Sequence, residues 1–600
     1  MSDVPLEYAV RLPGRRQHLV DVTVTVPADL AAGGRLVLPT WTPGSYVVRD
    51  YVHHVQRISA ADPEGRDVEL TPSGHTAWTL PDDVQGPVTV ALELYANELT
   101  VRTNHVDDHH ALLVPAASFP YVEGGEDRRH VVRFELADGD GDVHALLPRD
   151  PDAGDAPVFV AEDLDHLVDG AFEVGDFPTV EYEVAGVPHR FVWTGHGGFP
   201  DLDRVAADAT AIGEVAVELF AGDLPIEEYT FLCIGWDTGA GGLEHRDGAV
   251  LQMPVRTFEK PDEYARFQSL VAHEYLHLWN VKRLVPAGLT RFDYERPTHT
   301  TSLWVAEGWT AYYDELLPLR AGVWGTRRYL DALGGVAVSV LDTPGAAVQS
   351  VQRSSYEAWT KHYIRDENSL NAGVSYYGHG AVLAWCLDLL IRREDPYGHG
   401  LDGAFRLLWE RFGQGARSSA TLLDRSGTGY TEDDVVAAVS EVAGRDLTDF
   451  FERHVAGTQL PPVEDLAEAV GLTFAEKSVD VAPAPRLGVV SSETDEGVTF
   501  DTVLRGQAAW HAGLTGGDRL LAIDGLKVGR GELTPALRPY RAGDTVEVTV
   551  FRGPRLLTLP VTLDEPRPER QLAMVPNPTL EQREAFRSWT GRPLSEVGPT

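Results

Sequence analysis

The chain has 600 residues, 43% of them apolar, which is too long for one hydrophobic core and enough for several. Its 51 Lys and Arg stand against 91 Asp and Glu, a formal net charge of −40 spread along the chain, which excludes the basic patch that nucleic-acid phosphates require. No apolar run reaches the ~18 residues of a membrane span, and the two cysteines, Cys233 and Cys386, stand outside any CxxC spacing, so a thiolate zinc site and a disulfide framework are excluded too.

From the N-terminus, MSDVPLEYAV has neither a basic nor an apolar leader region, so a cytoplasmic location is expected. Residues 1–185 read as an all-β domain. Short alternating runs such as HLVDVTVTV and PVTVALEL are separated by Gly, Pro and Asp clusters, a spacing that predicts a β-sandwich. The pattern changes at about 186. DLDRVAADATAIGEVAVELFAG predicts an amphipathic helix with an Asp-rich start, and YTFLCIGW a buried strand. Residues 262–283 predict a helix opened by Pro261 and Asp262, and helices dominate onward, one of them with Thr431 as its N-cap. The range 186–475 is therefore taken as one α/β-to-helical domain. Residues 476–565 return to short strands and Gly turns, and 566–600 form a Pro- and Arg-rich tail with one short helix at TLEQREAFRSW. The fold class expected is multidomain α+β.

The chemistry concentrates in LVAHEYLHLWNVKRL. Positions i and i+4 share a helix face, so His273 and His277 can point at one ion. Glu274, one residue round the helix, can flank that ion and take a proton from water whose pKa zinc lowers to roughly 7. The apolar flanks Leu270, Val271, Leu276, Leu278 and Trp279 predict burial, where three ionisable groups need partners or a metal. A third ligand is available in WVAEGWTAYYDEL. Glu307 there sits among Trp304, Val305, Trp309 and Tyr312, and would complete a His₂Glu site with an open fourth position for one Zn²⁺ per chain. The rivals Asp293 and Glu295 fall in a Pro- and Arg-rich loop. Asp314, seven residues after Glu307 on the same face, can support a ligand histidine, although a surface position is the plainer expectation.

These two motifs, HEYLHLWNVKRL and LWVAEGWTAYYDELLPLRAG, resemble those of the glycyl aminopeptidase family of gluzincin metallopeptidases. The resemblance extends to PTWTPGSYVVRDY near the start, to GRDLTDFFERHVAGTQLPPVEDLAEAVGL, and to the C-terminal region. It implies a thermolysin-like catalytic domain with zinc chemistry, and an aminopeptidase favouring small N-terminal residues such as Gly and Ala. By the same resemblance, GGLEH matches an amine-binding motif, which makes Glu244, with Gly241 and Gly242, the anchor of a substrate's free α-amine. Tyr377 in SYYGHG matches the tyrosine that stabilises the oxyanion, with Tyr376 as its competitor. Two positions depart from the family pattern: Gly248 stands where a serine is usual, and His379 where a lysine is usual, so the surface charge there is expected to differ.

AAWHAGLTGGDRLLAIDG resembles a PDZ core, with Gly517 and Asp518 structural, and RLGVV at 486–490 suits a loop that binds a peptide C-terminal carboxylate. The partners expected are therefore peptides with a free N-terminus and, at the PDZ-like region, a peptide C-terminus. Two other functions compete: a zinc endopeptidase whose protein substrates are presented by the PDZ-like region, and a non-catalytic scaffold. An amine anchor is useless to the first, and the intact His273, Glu274, His277 and Glu307 set argues against the second.

Overall fold

Alternation in the N-terminal sequence becomes one-sided burial. In the strand Leu19–Val26, Val20, Val22, Val24 and Val26 are wholly buried and the residues between them are half-exposed. The computed structural model describes residues 4–195, 201–414, 429–478 and 482–597. It shows a multidomain α+β chain, with a β-rich N-terminal part, a helical middle and a C-terminal β domain. Two compact units divide it: Met1–Ser302 with Tyr313–Trp324 and Asp402–Ala438, and Leu303–Tyr312 with Gly325–Leu401 and Val439–Thr600.

In the first unit, Leu19–Val26 lies in a seven-stranded sheet. Beside it, Leu6–Gly14 runs antiparallel with Tyr8 opposite Val24, and on its other edge pairs parallel with His130–Phe134. A four-stranded sheet orders Asp142–Ala145, Phe172–Gly175, Ala111–Leu113 and His105–Val106. A five-stranded sheet follows in the order Thr179–Val184, Val187–Thr194, Tyr229–Trp236, Gly248–Pro254 and Gly241–His245. Its three central strands are parallel, and Tyr229–Trp236, expected as a buried strand, is buried at seven of its eight residues. The GGLEH strand closes one edge, antiparallel to Gly248–Pro254. Val192, Leu232, Ile234, Leu243 and Val250 of this sheet share a core with Leu112, Leu146 and Ala171 of the N-terminal part.

The helix Leu202–Leu219 starts where its Asp-rich opening predicts, with Asp201 accepting from the Arg204 N–H at 3.1 Å. The helix carrying HExxH runs Pro261–Leu276, seven residues short of the expected end. Beyond it, the Leu278 and Trp279 N–H groups donate to the Tyr275 and Leu276 carbonyls, three residues back, and turns continue to 283. Asp434 donates its N–H to Thr431 Oγ1 at 3.3 Å, the cap that the sequence predicts.

In the second unit, the helix Tyr376–Glu394 is apolar on every side and buried from His379 to Arg392. It approaches the start of the helix Gly308–Arg320 so closely that a Cβ on Gly308 would lie 2.5 Å from Gly380 Cα. Within it, Asp388 and Arg392 form a wholly buried ion pair at 2.9 Å. Tyr312 donates to Asp388 at 2.6 Å, and Arg392 donates to Ser588 Oγ at 2.6 Å. The strand Leu472–Glu476 pairs with Arg570–Met574. Between them in the chain folds a six-stranded antiparallel sheet, with Val489–Thr494 at one edge, around a core that includes Phe500, Leu520, Val548 and Val561. The last helix, Leu580–Thr590, opens on a Thr579–Gln582 capping box and buries Phe586 and Trp589 completely. No described helix is long and apolar enough to cross a membrane.

Candidate active site

The HExxH spacing stacks His273 and His277 edge-to-face, with ring centroids 4.7 Å apart. Each ring is held by its Nδ1. His273 donates to Asp314 Oδ2 at 2.8 Å, and His277 donates to the Asn280 carbonyl at 2.6 Å. Such outer bonds fix the tautomer and make Nε2 the ligating nitrogen. Asp314 is therefore no surface residue: its side chain is 13% exposed. Burial raises its carboxyl above the usual range, and the bonds from His273 and Ser269 offset only part of that.

Glu274 is buried against the GGLEH strand. A Cβ at Gly242 would stand 2.2 Å from Glu274 Oε1, so the motif's second glycine is the space that Glu274 occupies. Glu244 on the same strand is 4% exposed, and its Oε1 has no hydrogen-bond partner among the described residues. It lies with Glu274 and His277 in a group whose possible ligand atoms are all within 4.8 Å of one another. Gly44, from the TPGSY turn, has φ +84° and leaves room for it, since a Cβ there would meet both Glu244 oxygens at 2.6 Å. Arg102 donates to the Gly242 carbonyl at 2.9 Å. Gly44 and Arg102 escaped the sequence reading because neither sits in a motif that carries chemistry. Glu244 also lines a cavity of about 40 Å³ with Trp41, Tyr46, Val281 and Phe292, where Lys282 and Asp169 form an ion pair at 2.6 Å.

The two departures from the family pattern have local causes. A Cβ at Gly248 would lie 2.5 Å from the Thr230 carbonyl oxygen and 2.6 Å from a Leu146 methyl, so packing leaves no room for a serine. His379 is 7% exposed, and burial lowers its pKa to about 4. The expected change in surface charge is thus a neutral buried ring. Of the rival ligands, Glu295 accepts two bonds from Arg35, at 2.6 and 2.9 Å.

In the second unit Glu307 is 1% exposed and continues the helical hydrogen bonding, donating to Leu303 O and accepting from the Ala311 N–H, both at 2.7 Å. Burial raises the Tyr377 hydroxyl well above the usual phenol range, and the charge of Glu307 adds to this. His362, which no motif marks, is lowered to about 4 by burial and by Arg365, against the pull of Glu307. Its ring stands 4.5 Å from that of Tyr376 and 5.6 Å from that of Tyr377. Tyr376, the competitor, is wholly buried and donates to the Tyr363 hydroxyl at 3.4 Å. Two imidazoles with anchored Nδ1 atoms and a buried carboxylate are a donor set that fits a divalent ion of zinc's character.

Family models match the chain in three places: M61 glycyl aminopeptidase over residues 266–383, the peptidase M61 N-terminal domain over 7–176, and a PDZ domain over 485–563. The chain carries both domains of the M61 peptidase family. It is thereby a peptidase, a hydrolase acting on peptides. An aminopeptidase N family protein from Idiomarina loihiensis is 29% identical, with a TM-score of 0.89, over 98% of this chain and 100% of that one. An M1 zinc metallopeptidase from Deinococcus radiodurans is 16% identical with a TM-score of 0.43, over 77% of this chain and 95% of that one. No curated protein matches. The M61 match takes in His273, Glu274, His277, Glu307 and Tyr377, whereas Glu244 lies outside both M61 segments. In the PDZ domain, a groove beside the edge strand Val489–Thr494 is lined by Leu487, Leu504, Leu533 and Leu537 with Arg486 and Arg538.

Proposed function

We propose that this M61 peptidase is a zinc-dependent aminopeptidase that releases small N-terminal residues, Gly or Ala. His273, His277 and Glu307 hold one Zn²⁺, Glu274 is the general base, Tyr377 serves the oxyanion, and Glu244 with Gly241 and Gly242 anchors the substrate amine. Glu244 carries the reading. A carboxylate that is 4% exposed, with an oxygen lacking a hydrogen-bond partner among the described residues, is costly unless a cation joins it, and a substrate ammonium is that cation. The metal assignment is supported by the donor types: two imidazoles on one helix whose Nδ1 atoms are already held, and a carboxylate that is 1% exposed.

A bound zinc ion supplies Lewis acidity, making water a stronger acid and polarising a carbonyl. Glu274 takes the proton of the attacking water and passes it to the leaving amine. The Tyr377 hydroxyl, held protonated by burial, donates to the oxygen on which charge develops. Glu244 holds the amine and so selects the first peptide bond. The cavity beside Glu244 has room for a few waters or a small side chain, which agrees with Gly or Ala at the N-terminus. The PDZ groove takes a peptide C-terminus, its leucines receiving an apolar last residue.

The test compares a glycyl or alanyl fluorogenic amide with its N-acetylated twin, with and without a chelator. Cleavage confined to the free amine, lost with chelator and strongly reduced in Glu244→Gln, is expected. Equal cleavage of the acetylated twin would sink the amine anchor and point to an endopeptidase.

A further inference from the structure

The segment His105-Val-Asp-Asp-His-His110 joins two paired strands, with Val106 opposite Ala111 and His105 opposite Leu112. Cross-strand pairing brings the two outer histidines together: His105 Nδ1 and His110 Nε2 are 2.9 Å apart, with both rings buried. Asp107 shapes the turn between them. Its Oδ1 accepts the N–H groups of His109 and His110 at 2.7 and 2.9 Å, which holds the carboxylate beside the rings. Possible ligand atoms of His105, Asp107 and His110 all lie within 4.8 Å of one another.

Behind the rings lies a buried carboxylate, Glu173. His110 turns its other nitrogen, Nδ1, to Glu173 Oε1 at 2.7 Å, and Thr194 donates to the same oxygen at 3.0 Å. Glu173 is 1% exposed, and its Oε2 has no hydrogen-bond partner among the described residues. A carboxylate on the outer nitrogen of a histidine is the usual support of a metal ligand, because it fixes the tautomer and raises the basicity of the inner nitrogen. We propose that His105, His110 and Asp107 bind a second zinc ion, with Glu173 as its outer support, and that this ion is structural. It pins the strand pair that follows the Arg102 contact to the GGLEH strand. The inference stands apart from the catalytic reading.

Elemental analysis of the full chain, saturated with zinc and then dialysed, tests it. Two equivalents per chain are expected in the wild type, one in His110→Ala and one in His273→Ala. Glu173→Gln, which keeps the side-chain shape, should weaken the second equivalent about 10–100-fold in a chelator competition. A single wild-type equivalent that is lost in His110→Ala and kept in His273→Ala would support this site and overturn the catalytic one. A single equivalent kept in His110→Ala and in Glu173→Gln with unchanged affinity, and lost in His273→Ala, overturns the proposal and leaves a hydrogen-bonded histidine pair.

Discussion

Gly242 and Glu274 share one small volume, so in the proposed mechanism the glycine positions the base. Gly242→Ala puts a methyl where Glu274 Oε1 stands, so the carboxylate must shift. A displacement on the order of 1 Å costs about 10²-fold in rate. The expected outcome is a fall of that size in kcat with zinc content unchanged, read by steady-state kinetics beside metal analysis; an unchanged kcat would refute the contact. At this scale the candidate ligands were legible, because i,i+4 spacing on a helix is a property of local geometry. The Asp314 bond to His273 was legible only in part: its place seven residues after Glu307 made it a candidate support for a ligand histidine, but only packing shows it buried against His273 rather than on the surface. Glu244 was found through a motif, but its orphaned oxygen and the Gly44 approach belong to packing alone.

Among the elements, the helix Tyr376–Glu394 shows how a buried charge is accommodated. Asp388 and Arg392 are both wholly buried, one turn apart, and are completed by Tyr312, Ser588 and the Leu401 N–H. Arg392→Ala leaves a buried carboxylate without its cation, which costs about 3–5 kcal/mol. A clear fall in the urea midpoint of the helical transition, followed by far-UV circular dichroism, is expected. Replacing both residues by apolar ones of similar volume should cost less. Equal losses in the two variants would show that the pair does not act as a unit. The element types followed from pattern: period two in Leu19–Val26, and continuous apolar residues in Tyr229–Trp236. The end of the HExxH helix did not, since apolar residues continue past Leu276 while the backbone tightens there and the His277 ring bonds to the Asn280 carbonyl.

For the molecule as a whole, the PDZ domain has its own acid sensitivity. Burial pushes the Asp518 carboxyl up, but bonds from Arg552 and from the Thr515 N–H outweigh it and hold the group below the usual carboxylate range. A folded-state pKa below the unfolded value adds stability that is present above about pH 4 and lost as pH falls through the folded value. The thermal transition of this domain should therefore weaken on acidification below about pH 4, and Asp518→Asn should be less stable at neutral pH with a flatter acid limb. An acid limb as steep as that of the wild type would rule Asp518 out as its source. The sequence by itself determined the class of this protein, its HExxH and GGLEH motifs and the alternation of its strands, because each depends on neighbours within a few turns of chain. Only the tertiary structure decided that Asp314 steadies His273, that Gly44 makes room for Glu244, and that Leu472–Glu476 pairs with Arg570–Met574 across the whole PDZ sequence. Those contacts join residues far apart in the chain, and they are selected by the close packing of a finished core, which no local periodicity encodes.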